Sequence, residues 1–303
     1  MEPVTAAAMP HHETVADNLA HWQCDIDRAQ ELSLLQIKDA LHRHLAHTKA
    51  DGTPDAADLR QFAADLCPLE PDAEPLHHAQ QVSRRLAFCR ALCALHPDFK
   101  GEEASAPTTK APIQSPTVAK LSNPTFEEAL LRFSPLVPRA TALICHSFGE
   151  ILEAVSAGKA PFGLIPLEDS AEGKLFRFYE QIEQQELQIV ATVDIPTANE
   201  GRQVRIALLH KQALDAPHAP GEQILECRLF EDRTTSLLDL LTIAKSEGLS
   251  LRRIDSLPVT YRDDGFFKHL VWEAGQRDLN VFLAYLALFM PRTAVTAHYI
   301  HLS

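Results

Sequence analysis

The stretch Phe162-Gly163-Leu164-Ile165-Pro166-Leu167-Glu168-Asp169-Ser170-Ala171-Glu172-Gly173 decides how the fold is read. Its apolar start, Phe162–Ile165, has the length and composition of a short buried strand. A polar run, Glu168-Asp169-Ser170, follows it, and the segment from Gly173 to Gln185 carries a helical pattern. Outward from this unit the alternation repeats. Thr141–Cys145, Ile189–Val193 and Val204–Leu209 read as strands, and Thr125–Phe133 and Phe148–Ala157 as helices. Strands alternating with helices predict an α/β layer with at least partly parallel pairing.

Further along, the order is strand Ile224–Phe230, helix Ser236–Glu247, strand Ser250–Val259, strand Phe266–Glu273, helix Leu279–Phe289 and strand Val295–His301. This βαββαβ order is the ferredoxin-like arrangement. Upstream, residues 12–99 read as a helical domain. Leu19, Trp22, Ile26, Ala29, Leu34, Ile37, Leu41 and Leu45 recur at three- and four-residue steps, which places them on one helix stripe. Asp51-Gly52 stops that helix, Thr53-Pro54 opens a short one, and a third is expected from Pro75 to Leu95, ended by His96-Pro97. Residues 100–117, rich in proline and small polar residues, read as an extended linker. The expected division is therefore 12–99 helical, 100–117 linker, 118–215 α/β lobe and 223–303 ferredoxin-like domain.

Composition limits the function. The net charge of −13 is scattered along the 303 residues and opposes binding to nucleic acid or to an anionic membrane surface. The apolar stretches fall short of the ~20 residues a membrane span needs, and the N-terminus lacks the basic and apolar regions of a secretory signal. Six cysteines in a chain of this length do not make a disulfide framework, so a reducing cytoplasm is expected.

The opening motif resembles the signature of prephenate dehydratase, a strand ending in proline followed by Glu-Asn-Ser, a small or polar residue and Glu-Gly. Pro124-Thr125-Phe126-Glu127 is similar to the Gly-Thr-Phe-Ser segment that opens the same family's domain, and Ser147-Phe148-Gly149-Glu150-Ile151 to its Ser-Phe-x-x-Val/Ile helix start. Leu251-Arg252-Arg253-Ile254-Asp255-Ser256-Leu257-Pro258 is similar to the Ile-Glu-Ser-Arg-Pro strand of the ACT domain that follows the dehydratase. The resemblance implies one periplasmic-binding-protein-like α/β lobe joined to an ACT-like domain, and an association with phenylalanine biosynthesis. Its ligand would be prephenate or an aromatic amino acid, with no metal or cofactor. It implies catalytic positions at Glu168, Ser170 and Arg205 and substrate contacts at Thr125, Phe126, Asp169, Glu172 and Gly173. A regulatory ligand would meet Ser236, Leu237, Asp255 and Ser256, and the ACT-like domain would form a homodimer.

The chain departs from that pattern where the chemistry is most demanding. Loss of the ring hydroxyl of prephenate needs an acid or a strong hydrogen-bond donor. The Thr-Arg-Phe strand appears as Val204-Arg205-Ile206, so the hydroxyl is gone and only the arginine matches. Pro196 to Gln203 is too short to build a second lobe. Asp169 stands in place of asparagine and adds negative charge where a dianion should sit. Thr235-Ser236-Leu237 replaces a glycine-containing turn, and Leu257 stands at an arginine position.

Two readings of Glu168, Asp169 and Ser170 stay open: a remnant binding site, or caps for the helix expected at Gly173. Cys89, Cys93 and His96 share one helical face, but without a CxxC pair they read as core residues rather than as zinc ligands. His42, His44, His47, His77 and His78 read as solvated helix-face residues. Arg28, Lys38 and Arg43 do not reproduce the spacing of chorismate mutase, which precedes the dehydratase in bifunctional relatives, and the helices read as an appendage.

Overall fold

The computed structural model describes residues 33–46, 55–70, 72–97, 99, 108–109, 115–197, 201–214, 221–232, 235–258, 266–275 and 277–302. Two units divide the chain, residues 1–97 and residues 98–303. In the first, helix α1 covers 33–46, α2 Ala56–Leu66 and α3 Pro75–Leu95. The helix expected from Pro75 to Leu95 has those bounds, with proline in its first turn. Asp55 caps α2 by accepting the Ala57 N–H at 3.0 Å. Ile37, Leu41, Leu59, Ala63, Val82, Leu86, Phe88, Cys89 and Leu92 are buried. Arg43 of α1 pairs with Asp39 on its own helix. Leu19 to Ile26, Arg28 and the Asp51-Gly52 stop lie outside the described residues, as does Thr53-Pro54.

The second unit runs β1 (Thr108–Thr109), β2 (Thr117–Leu121), α4 (Pro124–Arg132), β3 (Thr141–Cys145), α5 (Phe148–Ser156), β4 (Phe162–Asp169), β5 (Gly173–Lys174), α6 (Phe176–Gln184), β6 (Gln188–Pro196) and β7 (Gln203–His210). It continues with β8 (Ala213–Leu214), β9 (Glu222–Leu229), α7 (Leu237–Ser246), β10 (Ser250–Pro258), β11 (Phe266–Gly275), α8 (Asn280–Phe289) and β12 (Thr293–Leu302). A ten-stranded mixed sheet joins most of it in the order β10-β11-β9-β12-β6-β7-β4-β2-β3, with β5 paired to β4. The pairs β2–β3, β2–β4 and β12–β6 are parallel, whereas β6–β7 and β4–β7 are antiparallel. The α/β class with partly parallel pairing is thus seen. The strand Thr117–Leu121 adds to those expected from the sequence. Within the segment read as linker, β1 pairs with β8.

The last six elements keep the βαββαβ order, with the antiparallel strand order β10-β11-β9-β12. They do not form a separate sheet. The outer strand β12 pairs with β6 through Ile300, His301 and Leu302, so the sheet runs unbroken from one half of the unit to the other.

Alternation along β4 explains its two-sided burial. Phe162 and Leu164 pack with Phe126, Phe133, Val193 and Ile206 on the α4 face. Ile165 and Leu167 pack with Ile151, Leu152 and Ile182 on the α5 and α6 face. Gly163 is needed here for close approach. A Cβ at this position would lie 2.7 Å from Val155 Cγ2 and 2.8 Å from Ile151 Cγ2, so glycine lets α5 sit down on the sheet.

Candidate functional site

The motif that opens the fold does not lead straight into a helix. Strand β4 ends at Asp169, the chain turns through Ser170-Ala171-Glu172, and Gly173-Lys174 returns as β5 against Asp169 and Glu168. Gly173 has φ +80°, a left-handed conformation that favours glycine. Asp169 Oδ1 accepts the Ala171 N–H at 2.9 Å and braces the turn. Helix α6 starts three residues later than expected, and its N-cap, Leu175, makes no side-chain bond. Glu168, Asp169 and Ser170 therefore cap no helix. Their local role is to build a hairpin that swings Lys174 back over the sheet.

Two β-bulges set the site. In β4 the register shifts between Pro166 and Glu168, so Glu168 lies on the same face as Leu167 and opposite Arg205. In β10 it shifts between Leu251 and Arg253, so that Arg252 and Arg253 both turn to the cavity. These two strands stand six places apart in the sheet. A flat sheet at ~4.8 Å spacing would hold them roughly 29 Å apart. The Arg253 guanidinium nevertheless bonds Glu168 Oε1. The sheet is curled, and its concave face encloses the site.

Within that curl lies a cavity of about 290 Å³, lined by residues of β4, β5, α6, β6, β7, β9, β10, β11 and β12. Its first wall is the cross-strand row Asp194–Arg205–Glu168. Arg205 grips Asp194 with two bonds, 2.8 and 2.9 Å, and Glu168 with one of 3.0 Å. Burial works against its charge, but the bonds and charge of Asp194 more than offset that and raise its pKa above the usual arginine value. Burial likewise works against the Asp194 carboxylate, and the bonds from Arg205 outweigh it to hold its pKa low. His301, bonded to Thr192 at 3.0 Å, stands 3.7 Å from the same carboxylate.

The second wall is a buried cluster around Glu226. Lys174 Nζ, His269 Nε2 and the Tyr299 hydroxyl reach its carboxylate at 3.1, 2.9 and 2.7 Å. Burial alone would raise the Glu226 pKa. The His269 bond and the Lys174 charge reverse this and bring it to about 2. Burial pushes Lys174 down, partly offset by Glu226. The Tyr179 ring covers Lys174 Nζ at 4.0 Å from its centroid, a cation–π contact.

Of the residues expected from sequence, Glu168, Ser170 and Arg205 come together in the cavity. Ser170 Oγ accepts the Gln203 N–H at 2.9 Å. Asp169 faces away and is gripped by Arg202 at 2.9 and 2.6 Å, and the Arg202 bond lowers its pKa. Glu172 takes a further bond from Arg202 at 3.0 Å. Asp169 thus adds no uncompensated charge to the cavity. Phe126 is a core residue 6.0 Å from the Phe148 ring, and Thr125 sits in the first turn of α4, outside the lining. Gly173 serves the hairpin.

The regulatory set is dispersed. Ser236 caps α7 by accepting the Leu238 N–H at 3.1 Å, and Leu237 begins that helix. Asp255 binds Arg253, and Ser256 accepts from Lys268 at 2.8 Å. Among the described residues no cluster of three or more His, Cys, Asp or Glu could hold a metal ion, and no helix is long and apolar enough to cross a membrane.

Sequence reasoning missed Lys174, Tyr179, Asp194, Glu226, His269 and Tyr299. Two signals pointed to some of them. Glu226 is a charge inside the apolar run Ile224–Phe230, and Lys174 directly follows the Glu-Gly of the motif.

Comparison with known proteins agrees with the motif. Residues 123–200 match the family model for prephenate dehydratase. No curated protein sequence matches the chain. Among solved structures, the chain is similar to prephenate dehydratase from Streptococcus mutans, at 18% identity over 62% of this chain and 99% of that one, TM-score 0.49. It is also similar to GqqA, titled a novel type of quorum quenching acylases, at 18% identity over 61% and 94%, TM-score 0.46. A third is prephenate dehydratase from Arthrobacter aurescens in complex with L-Phe, at 20% identity over 61% and 90%, TM-score 0.44. Residues 123–200 are thus similar to prephenate dehydratase, by the family model as by the motif.

Proposed function

We propose that this protein is a relative of prephenate dehydratase that has lost the dehydration chemistry and uses the cavity to bind a small carboxylate. The observation that carries this reading is the state of Arg205. It is the only residue of the Thr-Arg-Phe pattern that is kept, and its guanidinium is spent on Asp194 and Glu168. An arginine so paired offers little to a substrate carboxylate. Val204 has no proton to give to a departing hydroxyl. Strands β6 and β7 pair as far as Pro196 and Gln203, and the stretch between these two residues is too short for a lobe that would exclude water.

In this reading residues 118–215 are the dehydratase-like lobe and residues 223–303 an ACT-like domain, which supports the association with phenylalanine biosynthesis. Homodimerisation belongs to the same proposal. Of the apolar residues on β10 and β11, Leu270 and Trp272 are buried, whereas Leu251, Ile254 and Phe266 are 39%, 42% and 67% exposed. Among the described residues strand β10 is the last of the sheet, an edge that suits pairing with a second copy. The experiment that tests the proposal is an assay for phenylpyruvate formation from prephenate by the full-length protein.

A further inference from the structure

The bulge in β10 does more than bend a strand. In regular alternation one of two neighbouring residues faces away, yet Arg252 and Arg253 both line the cavity. The cavity lining holds four cations, Lys174, Arg205, Arg252 and Arg253, against three carboxylates, Glu168, Asp194 and Glu226. Three of the cations are matched: Lys174 to Glu226, Arg205 to Asp194 and Glu168, and Arg253 to Glu168 and Asp255. Arg252 forms no ion pair among the described residues. It acts on Asp194 only through space, as one of the charges that lower its pKa.

We infer that the cavity takes a small monocarboxylate with an apolar or aromatic body, anchored by Arg252. This rests on the reading of the cavity as a ligand site and names its ligand class. One carboxylate finds one unmatched guanidinium, whose planar fork suits a two-bond grip. The rest of the ligand meets the side chains of Tyr179, Tyr299 and Val271. A second carboxylate would find every other cation occupied and would face the fixed charges of Glu168, Asp194 and Glu226, an unpaired approach that the site disfavours.

Calorimetric titration of the full-length protein near neutral pH, with 3-phenylpropionate and with benzylmalonate, tests this. The two probes share one aromatic body and carry one and two carboxylates. The inference expects saturable binding of 3-phenylpropionate and about ten-fold or weaker binding of benzylmalonate. Arg252→Gln should lower the affinity for 3-phenylpropionate by about ten-fold or more, as loss of a charge-assisted bond implies. Because Arg252 is exposed, its thermal unfolding should match that of the parent. Benzylmalonate binding as tightly as the monoacid would overturn the ligand class and leave the cavity a ligand site. Affinity unchanged in Arg252→Gln would overturn the anchor. Failure of both acids to bind would overturn this inference together with the binding reading on which it rests.

Discussion

Arg253 on β10 reaches Glu168 on β4 although six steps of the sheet separate their strands. Glu168 also receives Arg205, so one carboxylate ties the two halves of the curled sheet together. A double-mutant cycle on Arg253→Gln and Glu168→Gln, read by urea unfolding, should give a coupling of about 1 kcal/mol. The pair is about a third exposed, at 33% and 28%, which keeps the value modest. Additive single effects would mean that the contact does not hold the curl.

The Lys174–Glu226 pair is far more deeply buried, with side chains 4% and 2% exposed. Removing one partner leaves an unpaired charge in the interior. Lys174→Met should therefore cost about 3–5 kcal/mol in chemical denaturation, and the double change Lys174→Met with Glu226→Leu should cost less than the single one. A double variant less stable than Lys174→Met would show that Glu226 is held by His269 and Tyr299 without need of the lysine.

Acid should unfold the protein through the same cluster. Glu226 has its pKa depressed to about 2 from an ordinary 4.5, so its contribution is complete above 4.5 and is lost as pH falls toward 2. The shift corresponds to roughly 3 kcal/mol. Asp194 acts in the same direction. Burial also lowers the pKa of His210 and His301, so the unfolded chain takes up protons before the folded one, and the loss begins below 6.5. Stability measured by denaturant titration should fall steadily on acidification. A flat profile between about pH 6 and about pH 3 would contradict this assignment.

Light scattering tests the open edge. The full-length protein at tens of micromolar is expected to have twice the monomer mass, since a two-fold contact is the commonest way to cover such a patch. Ile254→Lys with Phe266→Lys, both on exposed positions, should return it to monomer without loss of fold. A monomeric parent would remove the dimer, and a dimer that survives both charges would place the interface elsewhere.

Much of the architecture was legible because period and punctuation are local. Thr141–Cys145 and Pro75–Leu95 emerge with the bounds their patterns suggest. The helix expected at Gly173 starts at Phe176 instead, because the left-handed glycine turns the chain back as β5. The site was less legible. Glu168 and Arg205 could be placed by motif, but their mutual bond depends on a bulge, and a bulge leaves no period to read. Lys174, Glu226 and Tyr299 meet across 52 and 73 residues of sequence, and only the pairing of β12 with both β9 and β6 explains how the halves close on one cavity. The sequence suggests that Asp169 is a charge facing ligand, yet it is held outside the cavity lining. Its partner, Arg202, lies 33 residues away, just before the start of β7.

The measurement that bears most directly on the account is phenylpyruvate production from prephenate by the purified full-length protein. Loss of the donor at Val204 and the commitment of Arg205 predict no phenylpyruvate above the uncatalysed rate. Turnover near that of an ordinary enzyme, about 10 per second, would contradict it and show that the altered site remains a working dehydratase.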